Sequence, residues 1–425
     1  MSENSPLKTY GWQIAKAAIS FGVVVVYSRY LGASGRGQMS ILLLYLQVSL
    51  MFGELFAGSA MANWLVKYKP SEILPWVAFF SLGVLGISGT VLHFVFHISW
   101  ALLIPLLVQG LSLAWLNIQY NIYQSHGWIG RRNKLQVALE GLKLMSILLV
   151  AMIIKPQDVV SLNVQSMLEV LATVTFGILC FSFFKTWKIW KSAFPALPAP
   201  KGVFFEGLWA QLGHFMLFLV MKSPLWFIAY FLGDSEAGVF ANALLIADTV
   251  WIFSGSFGTV IHSRVLRNSS KVFHERLIRR YIDFSLLGTM LICLCVFAVP
   301  NGVFTTVFGE NFAMLKTEFI WLVPGIIFSA TSTAIGNYLH GMNRFKTLFK
   351  NHFLAFLALV VTFFVGNELG LGLISVVISM NIALFILLVL NLISINWLFK
   401  NRLQLIFNIL LIKRLLSIRW RKKIG

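Results

Sequence analysis

Charged residues are scarce in this sequence, where aspartate, glutamate, lysine and arginine together make up 12% of 425 residues. Soluble domains carry about 25% charged residues. By contrast, 58% of this chain is hydrophobic, and its mean hydropathy is +0.81. The shortage of charge excludes an ordinary soluble domain and predicts an integral membrane protein.

Acidic residues are the rarer charge, with 15 aspartates and glutamates against 34 lysines and arginines. A basic chain binds nucleic acid when its bases form a solvated face. Here the bases lie in short loops between apolar runs, so we expect no nucleic-acid partner. The sequence also has no P-loop motif, so any energy for work must come from an ion gradient or from later consumption of a product.

Cysteine is nearly absent, and Cys180, Cys293 and Cys295 all fall within apolar segments. Buried cysteines of this kind behave as small hydrophobic residues. Their spacing is not that of a disulfide framework or a zinc site. We therefore expect neither a bound metal nor another cofactor.

Long apolar runs are abundant, and a membrane-spanning helix needs about 20 mostly apolar residues. A scan at that length predicts an all-α protein with twelve spans. They are approximately Tyr10 to Tyr30, Gln38 to Leu65, Ile73 to Phe96, Trp100 to Tyr123, Leu135 to Ile154, Val164 to Phe184, Glu206 to Leu232, Val239 to His262, Tyr281 to Val299, Ala313 to Tyr338, His352 to Gly366 and Leu373 to Leu398.

The basic residues predict how these spans are oriented, because lysine and arginine concentrate in cytoplasmic loops. If the N-terminus is cytoplasmic, the outer loops hold only Arg29, Arg36 and Lys155, and the other loop bases face the cytoplasm. We therefore expect both termini to lie in the cytoplasm.

A short phrase occurs twice, as "YLGASGRG" at 30–37 and as "FLGDSEAG" at 231–238. Each copy falls in the first outer connection of a six-helix half. Such a repeat predicts two parallel, pseudo-symmetric six-helix lobes related by an axis along the membrane normal. Two glycine turns that match by chance are the alternative.

The repeat also sets the predicted domain boundaries. The first lobe covers 1–184, a cytoplasmic linker with three prolines and four lysines covers 185–203, and the second lobe covers 204–398. The basic tail, 399–425, is too short in apolar residues for a confident further span. It predicts an amphipathic helix on the anionic lipids of the inner leaflet.

Polar and cationic residues recur on one face of the first helix of each lobe. Gln13 and Lys16 share a face with Ser20 and Tyr27, and Gln211 and His214 share one with Lys222. Buried cations usually face a partner or a water-filled cavity. We therefore treat the cations, the two glutamines and Arg29 at the outer turn as candidate binding residues for an anion.

Each of these candidates has a simpler interpretation. Lys16 can extend its ammonium to the interface, and Lys222 can satisfy the backbone that Pro224 interrupts. Arg29 can be an interfacial anchor, and His214 a hydrogen-bonded packing residue. Lys143 follows Glu140 by three residues, which favours a structural ion pair on one helix.

Glu54 and Asp248 are the carboxylates nearest the middle of their spans, in the second helix of each half. A carboxylate in the membrane can bind a proton or a sodium ion on one side and release it on the other. These two residues are therefore our candidates for ion coupling. A salt bridge to Lys16 or Lys222 is the alternative.

Three segments resemble a known family. "YSRYLGASGRGQMS" and "FLGDSEAGVFANA" resemble the phrases that follow the first helix of each half in polysaccharide flippases of the multidrug/oligosaccharidyl-lipid/polysaccharide exporter superfamily. The stretch from Phe308 to Lys346 resembles that family's ninth-to-tenth helix region. The resemblance implies a two-lobed, MATE-like transporter, not an enzyme. It would move an undecaprenyl-linked oligosaccharide, such as an O-antigen unit, from the cytoplasmic to the outer leaflet by alternating access.

Rival functions are weighed by what the sequence lacks. A major-facilitator transporter usually has an Asp- and Arg-rich turn after the second helix, where this chain has "KYKPSE". A membrane polymerase or ligase typically needs a large outer loop, and every predicted outer loop here is short. A multidrug cation antiporter of the same superfamily remains the main alternative, although lysines in the opening helices favour an anionic substrate. The sequence encodes neither the identity of the sugar nor the oligomeric state.

Overall fold

The computed structural model describes residues 6–53, 59–153, 163–195, 197–198, 208–267 and 270–398, and these are almost entirely helical. The helices are α1 Pro6–Gly53, α2 Ser59–Lys67, α3 Pro70–Phe94, α4 Trp100–Ser125, α5 Ile129–Ile153, α6 Val164–Lys191, α7 Leu208–Phe231, α8 Asp234–Arg267, α9 Lys271–Ala298, α10 Asn301–Phe308, α11 Leu315–Gly341, α12 Phe345–Glu368 and α13 Leu373–Leu398.

Eleven helical stretches in the described residues are long and apolar enough to cross a membrane. The first, Gly11–Gly53, has 43 residues and would be about 65 Å long if straight, twice the hydrocarbon thickness of a bilayer. Gly32 interrupts it with φ 66° and ψ −174°, which are not helical angles. α1 is therefore two spans joined at one residue, and the prediction of an all-α, twelve-span protein is confirmed.

The kink at Gly32 corrects the predicted boundary between the first two spans. A loop of several residues was expected after Tyr30, but both sides of Gly32 are helical. Glycine is suited to this position because a side chain is strained at a positive φ. Gly233 in the second copy also has a positive φ, of 97°, and it separates α7 from α8.

The helices pack into two compact units. The first comprises Met1–Phe215, Lys222–Leu245 and Pro300–Glu318, and the second comprises Met216–Met221, Ile246–Val299 and Phe319–Gly425. These units do not coincide with the predicted lobes 1–184 and 204–398. Part of the second half, including the second copy of the repeat, packs with the first half.

The first unit has an apolar core between α1, α4, α5 and α6. Met39, Leu103, Leu106, Ile147 and Leu168 are at most 1% exposed in it. Lipid is as apolar as these side chains, so there is little hydrophobic driving force for their burial. They stabilise the helix packing through close van der Waals contact instead. This core holds α5 against α1, and α5 carries several of the polar residues described below.

The described part of the linker is not a free segment. α6 continues to Lys191, beyond the boundary predicted at 184. Further along, the Leu197 amide donates to the Ser71 carbonyl at 2.9 Å, and Trp76 Nε1 donates to the Leu197 carbonyl at 2.8 Å. These bonds attach the described part of the linker to α3.

In the second unit, a polar side chain compensates for backbone hydrogen bonds that are missing from a helix. Pro324 lies inside α11 and cannot donate a backbone hydrogen bond. Asn381 of α13 accepts from the Gly325 amide at 2.8 Å and donates to the Trp321 carbonyl at 2.9 Å. One side chain therefore satisfies both backbone groups and joins α11 to α13.

Candidate functional site

A polar cluster joins the N-terminal part of α1 to α5 in the first unit. We call it the Lys16 cluster, and its members are Gln13, Lys16, Arg132, Asn133, Gln136, Glu140 and Lys143. Gln13 Nε2 lies 3.4 Å from Asn133 Oδ1 and 3.3 Å from Gln136 Oε1. The α1 face predicted from sequence therefore packs on α5 through its glutamine.

The charges of the Lys16 cluster do not balance. Lys143 Nζ lies 3.1 Å from Glu140 Oε1, which confirms the predicted ion pair. Lys16 interacts electrostatically with Glu140, Lys143 and Arg132. Three cations and one anion give a net charge of +2. Glu140 neutralises only one of these three cations, so the cluster favours the binding of a further anion.

Several buried donors at the Lys16 cluster find no acceptor among the described residues. Arg132 Nε and Asn133 Nδ2 are buried there without a hydrogen-bond partner, as is the hydroxyl of neighbouring Tyr120 on α4. Arg132 Nη1 does have an acceptor, Gln124 Oε1 at 2.6 Å. A buried donor without an acceptor costs about 1–3 kcal/mol. A group that only accepts hydrogen bonds, such as a phosphate, is the chemical complement of these donors.

The two copies of the repeated phrase pack against each other. A Cβ atom at Gly37 would lie 1.9 Å from the Asp234 carbonyl oxygen, and one at Gly238 would lie 1.8 Å from the Ala33 carbonyl oxygen. Ala33 and Gly37 precede Asp234 and Gly238 by the same 201 residues. The contact is therefore reciprocal, as a twofold relation requires. We call these four residues the repeat crossing.

A buried polar network lies beside the repeat crossing. Arg36 Nε donates to Asn242 Oδ1 at 2.8 Å, and Asn242 Nδ2 donates to Ser28 Oγ at 3.2 Å. Arg36 also donates to Ser40 and lies over the ring of Tyr27, 5.1 Å from its centroid. Asn242 belongs to α8 and the other four residues belong to α1. The network therefore joins the segments that carry the two copies.

The residues of the predicted polar face of α7 lie in different surroundings. Gln211 Nε2 donates to the Met51 carbonyl at 3.1 Å, which ties α7 to the end of α1. His214 is exposed, and Lys222 is half-buried beside buried Ser223. Gln211 therefore contacts the C-terminal end of α1, whereas Gln13 and Lys16 lie near its N-terminal end.

The remaining candidates are Arg29, Asp248 and Glu54. Arg29 is exposed and donates to the Thr306 carbonyl at 3.1 Å, so it binds backbone next to the repeat crossing. Asp248 is half-buried in the second unit. Glu54 and the tail 399–425 lie outside the described residues. The described chain also contains no group of three or more metal-ligating side chains.

Sequence reasoning missed Arg132, Asn133, Asn242 and Glu318. Arg132 was counted only as a loop base, although it follows the polar end of α4 and begins α5. Asn242 lies close behind the second repeat copy and carries no signal of its own. Glu318 lies in the first turn of α11, where an acidic residue is ordinary. Its burial became visible only in the fold.

Comparison with solved structures finds the same fold at low identity. A complex of the MATE multidrug transporter DinF-BH has a TM-score of 0.67 and 13% identity, over 94% of this chain and 97% of that chain. The lipid II flippase MurJ, in an inward closed conformation, has a TM-score of 0.63 and 13% identity, over 91% and 87%. A mutant of the Vibrio cholerae MATE transporter VcmN gives 0.62 and 12%, over 93% and 98%.

Sequence comparisons add no closer relative. No protein-family model matches this chain. No curated protein matches it either. With eleven apolar helical stretches in its described residues and this structural similarity over most of its length, the chain is an all-α, multi-pass membrane protein with the fold of the MATE transporters and of MurJ.

Proposed function

We propose that this protein is a transporter that moves an anionic, lipid-linked oligosaccharide from the cytoplasmic to the outer leaflet of the inner membrane. The carrier would be undecaprenyl diphosphate, and the movement would follow alternating access. The observation that carries the proposal is the Lys16 cluster, with its net charge of +2 and its buried donors that lack acceptors among the described residues. A lipid diphosphate is an anion with acceptor oxygens only, and it fits both properties.

The position of the Lys16 cluster supports a role in uptake from the cytoplasm. With a cytoplasmic N-terminus, Lys16 lies near the inner end of α1. Gly32 follows it by about 16 residues, which is about 24 Å along a helix. Arg132 and Glu140 are half-buried, so they border the surface and not the interior of the unit. An anion would reach them after a modest movement of side chains.

The repeat crossing supplies the other element of alternating access. With the same orientation, it lies at the outer end of α1 and brings the two copies together through Gly37 and Gly238. Closure at this end, with the cationic cluster at the other end, is the arrangement expected of a state that binds substrate from the cytoplasm. Parting of the crossing would then open the outer side.

A matched pair of arginines tests the proposal. Arg132 belongs to the Lys16 cluster, whereas neighbouring Arg131 is exposed and stacks over the Trp128 ring at 5.0 Å. In cells that depend on this gene, Arg132→Gln should lower surface glycan at least about tenfold, since charge-assisted hydrogen bonds contribute about 1.5–3 kcal/mol. Arg131→Gln should leave glycan unchanged.

The lipid-linked repeat unit should accumulate in the inner leaflet of the Arg132→Gln cells, at normal abundance of the protein. Normal glycan with Arg132→Gln, together with lost resistance to cationic compounds, would refute the proposal and favour a cation antiporter. Equal losses with both arginine variants would assign the effect to loop charge in general, and would also contradict the role of the cluster.

A further inference from the structure

Glu318 is a buried carboxyl group for which the described residues provide no hydrogen-bond partner. It lies in the first turn of α11 and is 1% exposed. Both of its oxygens, Oε1 and Oε2, are left unpaired in the described structure. Buried polar groups are almost always hydrogen-bonded, so this residue requires a chemical explanation.

The surroundings of Glu318 disfavour a negative charge. Burial of an ionised carboxylate without a partner is far more costly than burial of the neutral acid. The N-terminus of α11 offsets only a small part of that cost. Lys316 is two residues earlier and therefore lies on another side of the helix. These terms favour the neutral, protonated form.

A second carboxylate adds to this effect. Glu236 is exposed in the first turn of α8, in the same compact unit as Glu318. Its negative charge acts on Glu318 and adds to the effect of burial. A like charge disfavours ionisation of a neighbouring carboxyl group. Glu318 is the buried member of the pair.

Both glutamates belong to segments that lie at or beside the repeat crossing. Glu236 follows Asp234, whose carbonyl oxygen packs against Gly37, by two residues. On the other side, a Cβ atom at Gly32 would lie 3.3 Å from Nδ2 of Asn311, which shortly precedes Glu318. Separation of the repeat crossing would move the first turn of α8 and admit water to the two glutamates. We propose that Glu318 is a proton-binding site, in which the carboxyl group holds a proton while the repeat crossing is closed and releases it to water when the crossing parts.

The inference rests on the proposed transport function in one respect, the role of the proton in transport. There, proton binding would couple opening of the outer side to the proton gradient. Glu318 is therefore tested before Glu54 and Asp248, the residues predicted from sequence as candidates for ion coupling. The proton site itself follows from burial and from Glu236, and it can be measured without any glycan.

Dicyclohexylcarbodiimide provides the test, because it adds across the O–H bond of a protonated carboxyl group in apolar surroundings. The adduct rearranges to a stable N-acylurea and nothing is released. Membranes containing the whole protein are treated at a series of pH values and digested with trypsin. Cleavage after Lys316 gives the peptide 317–344, in which Glu318 is the only carboxyl side chain. Mass spectrometry then reads its modification directly.

At pH 7, a solvated glutamate is protonated in only about 0.2% of molecules. We expect Glu318 to be modified at least about 50-fold faster than exposed Glu310 at that pH. Glu236→Gln should move the loss of modification to lower pH, since the like charge is gone. The Arg132→Gln variant should be modified as wild type, which separates this result from the glycan result.

Four results would overturn the inference. The first is modification of Glu318 no faster than that of Glu310 at pH 7. The second is protection by sodium chloride, relative to choline chloride at the same pH, which would assign the site to a sodium ion. The third is an unchanged pH dependence in Glu236→Gln. Glu318→Gln mimics the protonated form and should be present at normal abundance, and its loss from the membrane would indicate a structural role instead.

Discussion

The repeat crossing leads to a prediction about two glycines that are far apart in sequence. Gly37→Ala would place a Cβ atom 1.9 Å from the Asp234 carbonyl oxygen, whereas ordinary contact begins at 3.4 Å. The backbones must therefore separate by about 1.5 Å. In Gly238→Ala, the new Cβ atom would lie 1.8 Å from the Ala33 carbonyl oxygen, which requires almost the same movement. The reciprocal geometry predicts that the two variants have equal effects.

The size of the effect follows from the cost of overpacking, which is about 1–3 kcal/mol in a well-packed contact. If the crossing closes in one state and parts in another, that cost appears only in the closed state. The equilibrium should shift toward the open state by roughly 5- to 150-fold. Gly83→Ala is the matched control, because a Cβ atom there meets nothing within 4 Å.

A reporter cysteine at Ala237 measures the opening. Ala237 is fully buried beside Gly238, and the native cysteines would first be replaced by alanine. A membrane-impermeant maleimide added to intact cells should label Ala237→Cys slowly, and faster by the stated factor with either glycine variant. Rates that differ by more than about threefold between Gly37→Ala and Gly238→Ala would refute the reciprocal contact. Faster labelling with Gly83→Ala would refute the steric explanation.

Three further predictions concern side chains. Asn242→Leu removes the acceptor of Nε of buried Arg36, and at about 1.5–3 kcal/mol it should raise labelling of the same reporter by roughly 10- to 150-fold. Lys222→Ala should lower surface glycan sharply at normal protein abundance, while Lys222→Arg retains part of it; normal glycan with Lys222→Ala would remove this residue from the mechanism. Asn381→Leu breaks two hydrogen bonds to the backbone around Pro324 and should cost roughly 2 kcal/mol, seen as a lower Tm of the purified protein with unchanged helix content. An unchanged Tm would show that α11 does not depend on that side chain.

Much of the fold was predictable because each span is decided locally. The length and hydropathy of each apolar run are set by the membrane thickness, so the runs identify the eleven helical stretches, the first of which Gly32 divides. The ends are less accurate, since the span predicted from Tyr281 begins at Val272. The ion pair of Glu140 and Lys143 was also predictable, since both residues lie on one helix at a spacing of three. The boundary at Gly32 was less accurate, because a single residue with a positive φ has no compositional signature beyond the glycine itself.

The candidate site was predictable only in part. Gln13 and Lys16 were identified from their spacing on α1, but the helix on which they pack was not. Asn133 lies 120 residues beyond Gln13 in the sequence, and helix periodicity carries no information about such partners. Glu318 was missed for the same reason, since its sequence neighbours are ordinary and only packing removes it from water.

By itself, the sequence determined the solvent, the number of spans and the existence of a repeat, because hydrophobic length and self-similarity are properties of the chain alone. Only the tertiary structure decided what the repeat does. The two copies meet at Gly37 and Gly238, where backbones approach too closely for any side chain. Burial was also decided there, because an unpaired donor or carboxyl group is defined by the groups that surround it and not by its position in sequence.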